Sequence, residues 1–451
     1  MTIAQGNFQW TCQPQAEQFI LNLIDRAQKL NPWIAEFEKS LLKHTSTRLL
    51  DWIDHVGVGF TAEIENELLD AGFIAEQATA SFRVFNHPGA QLPRVILKDQ
   101  AINMIDVAVS VDSISDFLMV NHLTAPIEGA PLSVFRRSCV SIENDAALWA
   151  VERRGSLTME IVATAANHAD TYLLAKEKWK TRPRALNDED QAMEITLSIA
   201  QDIIHMLGED PAASLILECE REYWQARNTA GQLQKNRQDR LGLGWANHDH
   251  HTFRSSRRHF HHLVRLFEML GFHCRERYYA GQEAGWGAQI MENPRAKLVL
   301  FLDVDLAPEE VCVDFAHHPI PELEHLGTIG LWCALHGDSI LKAGMHHLEA
   351  QFMFEDLKED LSHLGIRMMD PFSSFPFLKQ AFTAGEVWHV DPQRIEHLLV
   401  QNKLSDTQAE SFRHHGAIGS HLENLQRREG YKGFNQKNVS VIIKKTDPRH
   451  Q

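Results

Sequence analysis

Asp249-His250-His251-Thr252-Phe253-Arg254 places a metal-capable imidazole and a carboxylate-binding guanidinium close together in the chain. The stretch reads as a strand, on which alternate side chains share a face. His250, Thr252 and Arg254 therefore point the same way. Imidazole can hold a divalent metal, and guanidinium can grip a carboxylate through two parallel hydrogen bonds. A second strand, His347-Leu348-Glu349-Ala350-Gln351-Phe352, puts His347, Glu349 and Gln351 on one face and Leu348, Ala350 and Phe352 on the other. The apolar face suits a core, which leaves the His347 face for a cavity. Two carboxylates compete as a third ligand: Glu423, in Ser420-His421-Leu422-Glu423, and Glu386, in Gly385-Glu386-Val387-Trp388-His389. Two His and one carboxylate with open positions are the usual set for non-haem Fe(II). A single His at a strand start is ordinarily a hydrogen-bonded structural residue. The equivalent placement of His250 and His347, with Arg254 beside the first, raises this set above that reading. His259, His261 and His262 fall in a helical stretch and read as a solvated or cavity-rim face.

The elements that must position these residues recur along the chain. After Arg254 a helix is predicted from near Ser255-Ser256, with Phe260, Leu263, Val264, Phe267 and Leu270 at helical spacing, stopping at Gly271-Phe272. Asp54-His55 likewise leads into a helix with Ile64, Leu68 and Ala71, stopping at Gly72-Phe73. Gly59 stands where the second copy has Arg254. The turn Pro88-Gly89-Ala90-Gln91-Leu92 is echoed by Pro294-Arg295-Ala296-Lys297-Leu298. A further helix stops at Leu364-Gly365-Ile366. Four β-α-β units in two pairs follow, starting near 52, 104, 247 and 345. Residues 14–48 read as helices broken at Asn31-Pro32, and Ala147 to Val162 as a further strand or two. Residues 163–240 read as helical, with a face of Ile195, Ile199, Ile203 and Leu207, and Asn228 to Arg240 as the linker between halves. The last strand is expected at Asn438 to Lys444. The predicted fold class is α+β: duplicated βαβββ modules forming curved half-barrels, with added helices. The expected division is 1–165, 166–240 and 241–451, with the metal site in the last part.

The chain has 451 residues, enough for two to four modules with real cores. Its net charge of −16 argues against a nucleic-acid or anionic-membrane surface as the main partner. It does not bear on a small anionic substrate, because one pocket arginine overrides the global field. No apolar run is long enough to span a bilayer. No secretory signal is visible in Met1 to Cys12, and Cys12, Cys139, Cys219, Cys274, Cys312 and Cys333 are scattered without a CxxC pair. Reduced thiols in a cytoplasmic protein are the expectation.

These motifs, in this order, resemble a divergent member of the 2-oxoadipate dioxygenase/decarboxylase (hydroxyglutarate synthase) family, within the vicinal oxygen chelate superfamily. Asp249-His250 with Arg254 is similar to the family's metal strand, and His347-Leu348 to its second ligand strand. Glu423 before Gln426-Arg427 is similar to its carboxylate motif, and Leu378-Lys379-Gln380 to its late Leu-x-Gln. Gly430-Tyr431-Lys432-Gly433-Phe434 resembles its closing segment. The resemblance covers about 247–445, with a site-less copy over about 16–160.

The resemblance implies Fe(II), or Mn(II), on His250, His347 and Glu423. It implies a 2-oxo acid and dioxygen as reactants, and a hydroxy acid and carbon dioxide as products. Arg254 would pair a substrate carboxylate and Gln380 would hydrogen-bond the substrate. The sequence departs from the family at His251-Thr252-Phe253, and Glu386 stays an alternative to Glu423. In the first half His55 remains, the second ligand position is Asp106, and the carboxylate position is Ala150 or Trp149. That half reads as a scaffold that has lost its site. Two other functions fit the same residues: Lewis-acid chemistry on the same fold (lyase, isomerase or hydrolase), and ligand binding without catalysis.

Overall fold

A computed structural model describes residues 10–99, 103–184, 186, 188–434 and 446–450. The first sheet contains β1 (Ile53–Gly59), β2 (Ile74–Ala78), β3 (Phe82–Asn86), β4 (Arg94–Lys98), β5 (Ile105–Ser110), β6 (Phe135–Glu143) and β7 (Ala146–Arg153). Their spatial order is β2-β3-β4-β1-β5-β7-β6. The opening strands of the two units, β1 and β5, lie antiparallel at the centre. Each also pairs in parallel with the last strand of its own unit, β4 and β7. A parallel return needs a crossover, which the helices Ala62–Asp70 and Ile114–Val120 supply.

The second sheet repeats the plan with β8 (His248–Arg254), β9 (His273–Tyr279), β10 (Trp286–Asn293), β11 (Leu298–Asp305), β12 (His347–Gln351), β13 (Ser373–Phe375), β14 (Leu378–Phe382), β15 (Glu386–Trp388) and β16 (Ala417–Arg427). The order is β13-β14-β16-β12-β8-β11-β10-β9, with β15 paired to β16. Again the opening strands β8 and β12 are antiparallel at the centre, and each is parallel to its unit's last strand. The fold is thus α+β, with paired modules in two curled sheets and added helices, as the sequence predicts; the unit opening with β5 has two described strands after its helix where βαβββ has three.

The shared Gly-apolar landmarks have a common cause. Gly72 and Gly271 follow their helices at φ +88° and +79°. This left-handed turn lets the next amide reach back into the helix: Phe73 N donates to Leu68 O and Phe272 N to Phe267 O, both at 3.0 Å. Each closure also buries the phenylalanine, which packs in the core under its sheet. The helices Pro14–Leu30 and Pro32–Thr45 break where predicted, because Asn31 accepts from Trp33 N and so caps the second. They cover one face of the first sheet. A larger core joins one face of the second sheet to the helices of the 168–239 region, leaving its concave face for a cavity.

Several expectations are corrected. The helix after β8 starts at Phe260, not near Ser255, because Ser255 and Ser256 hydrogen-bond to the buried Asp338 instead. The strand β6 was not predicted, and residues 154–162 do not extend β7. Of Ile195, Ile199, Ile203 and Leu207, only Ile203 is fully buried; the helix turns Ala192, Met193, Thr196 and Ala200 inward with it. The 228–240 linker is a helix, Thr229–Asp239, wedged between the halves. Gln234 donates to Thr45 O at 3.0 Å in the first half, and Asn228 to Ser420 Oγ at 2.7 Å in the second. The strand expected at 438–444 lies outside the described residues. No helix among the described residues is long and apolar enough to cross a membrane.

His259 is not solvated. It is 2% exposed, with Nε2 2.9 Å from Asp190 and Nδ1 3.2 Å from Asp338. Burial opposes its charge, but the hydrogen bond and field of Asp338, with help from Asp190, raise its pKa from 6.5 to about 9. A folded pKa above the unfolded one gives stabilisation that is complete below about pH 6.5 and lost as pH rises through about 9. The wild-type Tm should fall across that window, and the fall should shrink in His259→Asn. Equal falls in the two proteins would remove His259 as the cause.

Candidate metal centre

Strand register assembles the site. Across the antiparallel pair β8/β12, Glu349 faces His250 and His347 faces Thr252. Across the parallel pair β12/β16, Glu349 faces Glu423. Directly paired residues project to the same side of a sheet. Three neighbouring strands therefore deliver His250, His347, Glu349 and Glu423 into one space. All are buried, with Glu349 at 0% and Glu423 at 3% exposure. They line a cavity of about 80 Å³ walled by Tyr278, Trp286, Phe301, Phe372, Phe382 and Phe434.

Within it, His250 Nε2 lies 3.2 Å from Glu349 Oε1, and His347 Nδ1 contacts the same oxygen. His347 Nδ1 is 3.3 Å from Glu423 Oε2. Thr252 Oγ1 donates to Glu349 Oε1 at 2.6 Å, and Gln380 Nε2 to Glu423 Oε1 at 2.9 Å. Behind His250, Nδ1 lies 2.9 Å from Asp249 Oδ1. Arg427 in turn holds Asp249 through Nε and Nη2 at 3.0 and 3.1 Å. A carboxylate accepts, so Nδ1 carries the proton and Nε2 is the nitrogen aimed at the cavity.

Burial and mutual charge set the protonation pattern. Burial works against an ionised Asp249, yet Arg427 and His250 hold it far below the usual carboxylate range. Burial also opposes charge on His250, but Glu349 and Asp249 raise it to about 9. Glu423 is pushed well up by burial and by the neighbouring Glu349. His347 is lowered by burial. Glu349 Oε2 is buried without a hydrogen-bond partner. Two imidazoles and two carboxylates facing one another, with an unmet buried oxygen, fit a divalent cation, which would replace protons as the compensating charge.

Arg254 lines the same cavity. Its Nε and Nη1 are buried without hydrogen bonds, Asp303 Oδ2 is 3.9 Å from Nε, and Trp332 lies under the guanidinium at 5.4 Å. Asp303 is raised to about 7 by burial, against the pull of Arg254. The cavity therefore brings together His250, His347, Glu423, Arg254 and Gln380. The Gln380 amide contact is to Glu423. Glu386 is elsewhere: it accepts from Thr229 N at 2.9 Å and Thr229 Oγ1 at 3.1 Å. Sequence reasoning placed Glu349 on the right face without making it a site residue. Its position two after His347 was the available signal. A second grouping, Glu268, Cys274 and His317, is more exposed, and its His317 is already paired with Glu268 and Asp314.

The first half keeps the frame without the site. His55 Nδ1 is 2.6 Å from Asp54, and Arg153 grips Asp54 at 2.6 and 2.9 Å, repeating Asp249, His250 and Arg427. Gly57 pairs Asp106 as Thr252 pairs His347, and Ala108 pairs Trp149 as Glu349 pairs Glu423. Trp149, not Ala150, thus occupies the carboxylate position. Lys98 forms an ion pair with Asp106 and places a side-chain cation there.

No protein-family model matches the chain, and no curated protein matches it. Among solved structures it is similar to a variant of 4-hydroxymandelate synthase from Streptomyces coelicolor, at 12% identity over 89% of this chain and 99% of that one, with a TM-score of 0.31. It is similar to a putative hydrolase from Shewanella frigidimarina at 15% identity, 55% and 97% coverage and a TM-score of 0.30. A methylmalonyl-CoA epimerase from Mycobacterium tuberculosis is similar at 10% identity, 40% and 87% coverage and a TM-score of 0.23.

Arg427→Met would leave the Asp249 carboxylate buried without its cation. Breaking such a pair costs roughly 3–5 kcal/mol. Urea denaturation should show a loss of that order, and a loss within the scatter of a surface substitution would mean that Asp249 is not held by this pair.

Proposed function

We propose that the chain is a non-haem Fe(II)-dependent dioxygenase/decarboxylase of the vicinal oxygen chelate type, converting a 2-oxo acid to a hydroxy acid and carbon dioxide. The observation that carries this reading is the meeting of His250, His347 and Glu423 in one buried cavity that also holds the Arg254 guanidinium, whose Nε and Nη1 are buried without hydrogen bonds. His250, His347 and Glu423 would hold the metal, with Mn(II) as the other candidate ion for the same donors. When bound, Fe(II) supplies a chelation site for the 2-oxo carboxylate and the means to activate dioxygen.

The chain's own residues do the rest. Arg254 neutralises and orients a substrate carboxylate, with a fork geometry that lysine lacks. The apolar walls exclude water, which strengthens that pairing. Gln380 fixes the Glu423 carboxylate through its amide, and the Asp249–Arg427 pair fixes the tautomer of His250. The division at 1–165, 166–240 and 241–451 belongs to this proposal, with the first part as scaffold.

Lewis-acid chemistry on the same donors is the second reading, favoured by Glu349, an acidic neighbour that a three-ligand oxygenase site does not require.

Anaerobically Fe(II)-loaded protein should consume dioxygen with at least one member of a 2-oxo acid panel that includes 2-oxoadipate. One carbon dioxide should appear per dioxygen, and His347→Ala should abolish uptake. Turnover of a panel member without dioxygen would replace this reading with the Lewis-acid one, and iron binding without any turnover would point to a binding role. In the active protein, Arg254→Lys should raise KM for the acid by about tenfold or more, because one charged hydrogen bond is worth about 1.5–3 kcal/mol. An unchanged KM would take Arg254 off the substrate.

A further inference from the structure

We propose that Glu349 is a fourth protein donor to the metal, making the site two imidazoles and two carboxylates. The proposal rests on the metal-dependent reading above and concerns what that reading leaves open.

The argument is one of direction. A buried carboxylate beside a ligating histidine ordinarily sits behind it and accepts from the nitrogen that faces away from the metal. For His250 that place is taken by Asp249, 2.9 Å from Nδ1. Glu349 lies at the other nitrogen, Nε2, at 3.2 Å. It is therefore on the metal side of His250. The same Glu349 oxygen contacts His347, and His347 lies 3.3 Å from Glu423. Donors about 2.1 Å from one ion and at right angles to each other are about 3.0 Å apart. The observed spacings are those of neighbouring donors around a single ion. Thr252 holds Glu349 Oε1 at 2.6 Å, while Oε2 is buried without a hydrogen bond.

The internal repeat supports the assignment. Phe301 pairs Thr252 on β11 as Glu423 pairs Glu349 on β16, so Phe301 fills the position equivalent to Glu423. The β8 unit thus gives His250 alone, with Thr252 and Phe301 where the β12 unit has two acids. Glu349 brings the donor set back to four. In an octahedral ion, four protein donors leave two open positions rather than three. A chelating substrate would fill both.

The test counts exchangeable waters. Full-length protein is loaded with Mn(II), and metal-bound water is counted by pulsed electron paramagnetic resonance in deuterated buffer. Two waters in the wild type and three in Glu349→Ala are expected. Calorimetric Mn(II) affinity should fall in Glu349→Ala by more than the 10–100-fold of an outer-shell change. Three waters in the wild type would overturn the proposal while leaving the three-ligand site intact, and that count needs no variant to fold. Affinity unchanged in both Glu349→Ala and the isosteric Glu349→Gln would also overturn it. No Mn(II) binding by the wild type, or Mn(II) binding unchanged in His250→Ala, would instead sink the metal reading itself.

Discussion

The central strand pair of the second sheet, β8 against β12, is the constraint on which the site depends. Among the described residues it is where two opening strands, each the start of its own unit, meet directly within that sheet. Their register decides that Glu349 faces His250, and the neighbouring parallel register decides that Glu423 faces Glu349. A slip of β12 by one residue would turn His347 and Glu349 away from the cavity and break both pairings. The apolar faces of the same strands, Phe253 on β8 and Leu348 and Ala350 on β12, are fully buried in the core. Hydrophobic burial on one side of the sheet thus fixes the polar constellation on the other.

That constellation is costly, and the structure contains two ways of managing the cost. In the second half, Arg427 neutralises Asp249 and Asp249 holds His250, so one charge is dealt with behind the imidazole. The charges in front of it, Glu349 and Glu423, find no arginine or lysine within salt-bridge distance among the described residues. In the first half, the rear device is retained in Asp54 and Arg153, but the front is closed by Lys98 on Asp106 and by Trp149 in the carboxylate position. One half supplies its cation from a side chain; the other leaves room for one from outside. The two halves therefore differ in the source of compensating charge while sharing the frame that creates the need.

Much of this was legible in the sequence because it is local. The Gly-apolar stops encode helix closures, the Asn31-Pro32 break encodes a cap followed by a new helix, and strand alternation places His250 with Arg254 and His347 with Glu349. What was not legible depends on register and on distant partners. Glu423 and Glu386 both competed as the carboxylate in the sequence, and what separates them is that β16, not β15, pairs with β12. The late start of the helix at Phe260 follows from Asp338, more than eighty residues away, capturing Ser255 and Ser256. The 228–240 segment looked like a linker because it is polar, yet Gln234 and Gln238 are buried and donate to backbone carbonyls, a role that composition does not reveal.

The two halves also differ at Arg254. Its counterpart is Gly59, and the residue paired across from it is Asp303 where the first half has Lys98. In the first half the cation has moved to the neighbouring strand and turned onto Asp106. In the second, the cation stays on the opening strand, backed by Trp332 and 3.9 Å from Asp303, short of a hydrogen bond. A buried guanidinium with unmet donors is unfavourable unless something fills them. An anionic ligand would satisfy Arg254 in the same way that a divalent ion would satisfy Glu349 and Glu423. The cavity carries a deficit of each sign, side by side, and under the proposed function a metal-chelated carboxylate would meet both at once.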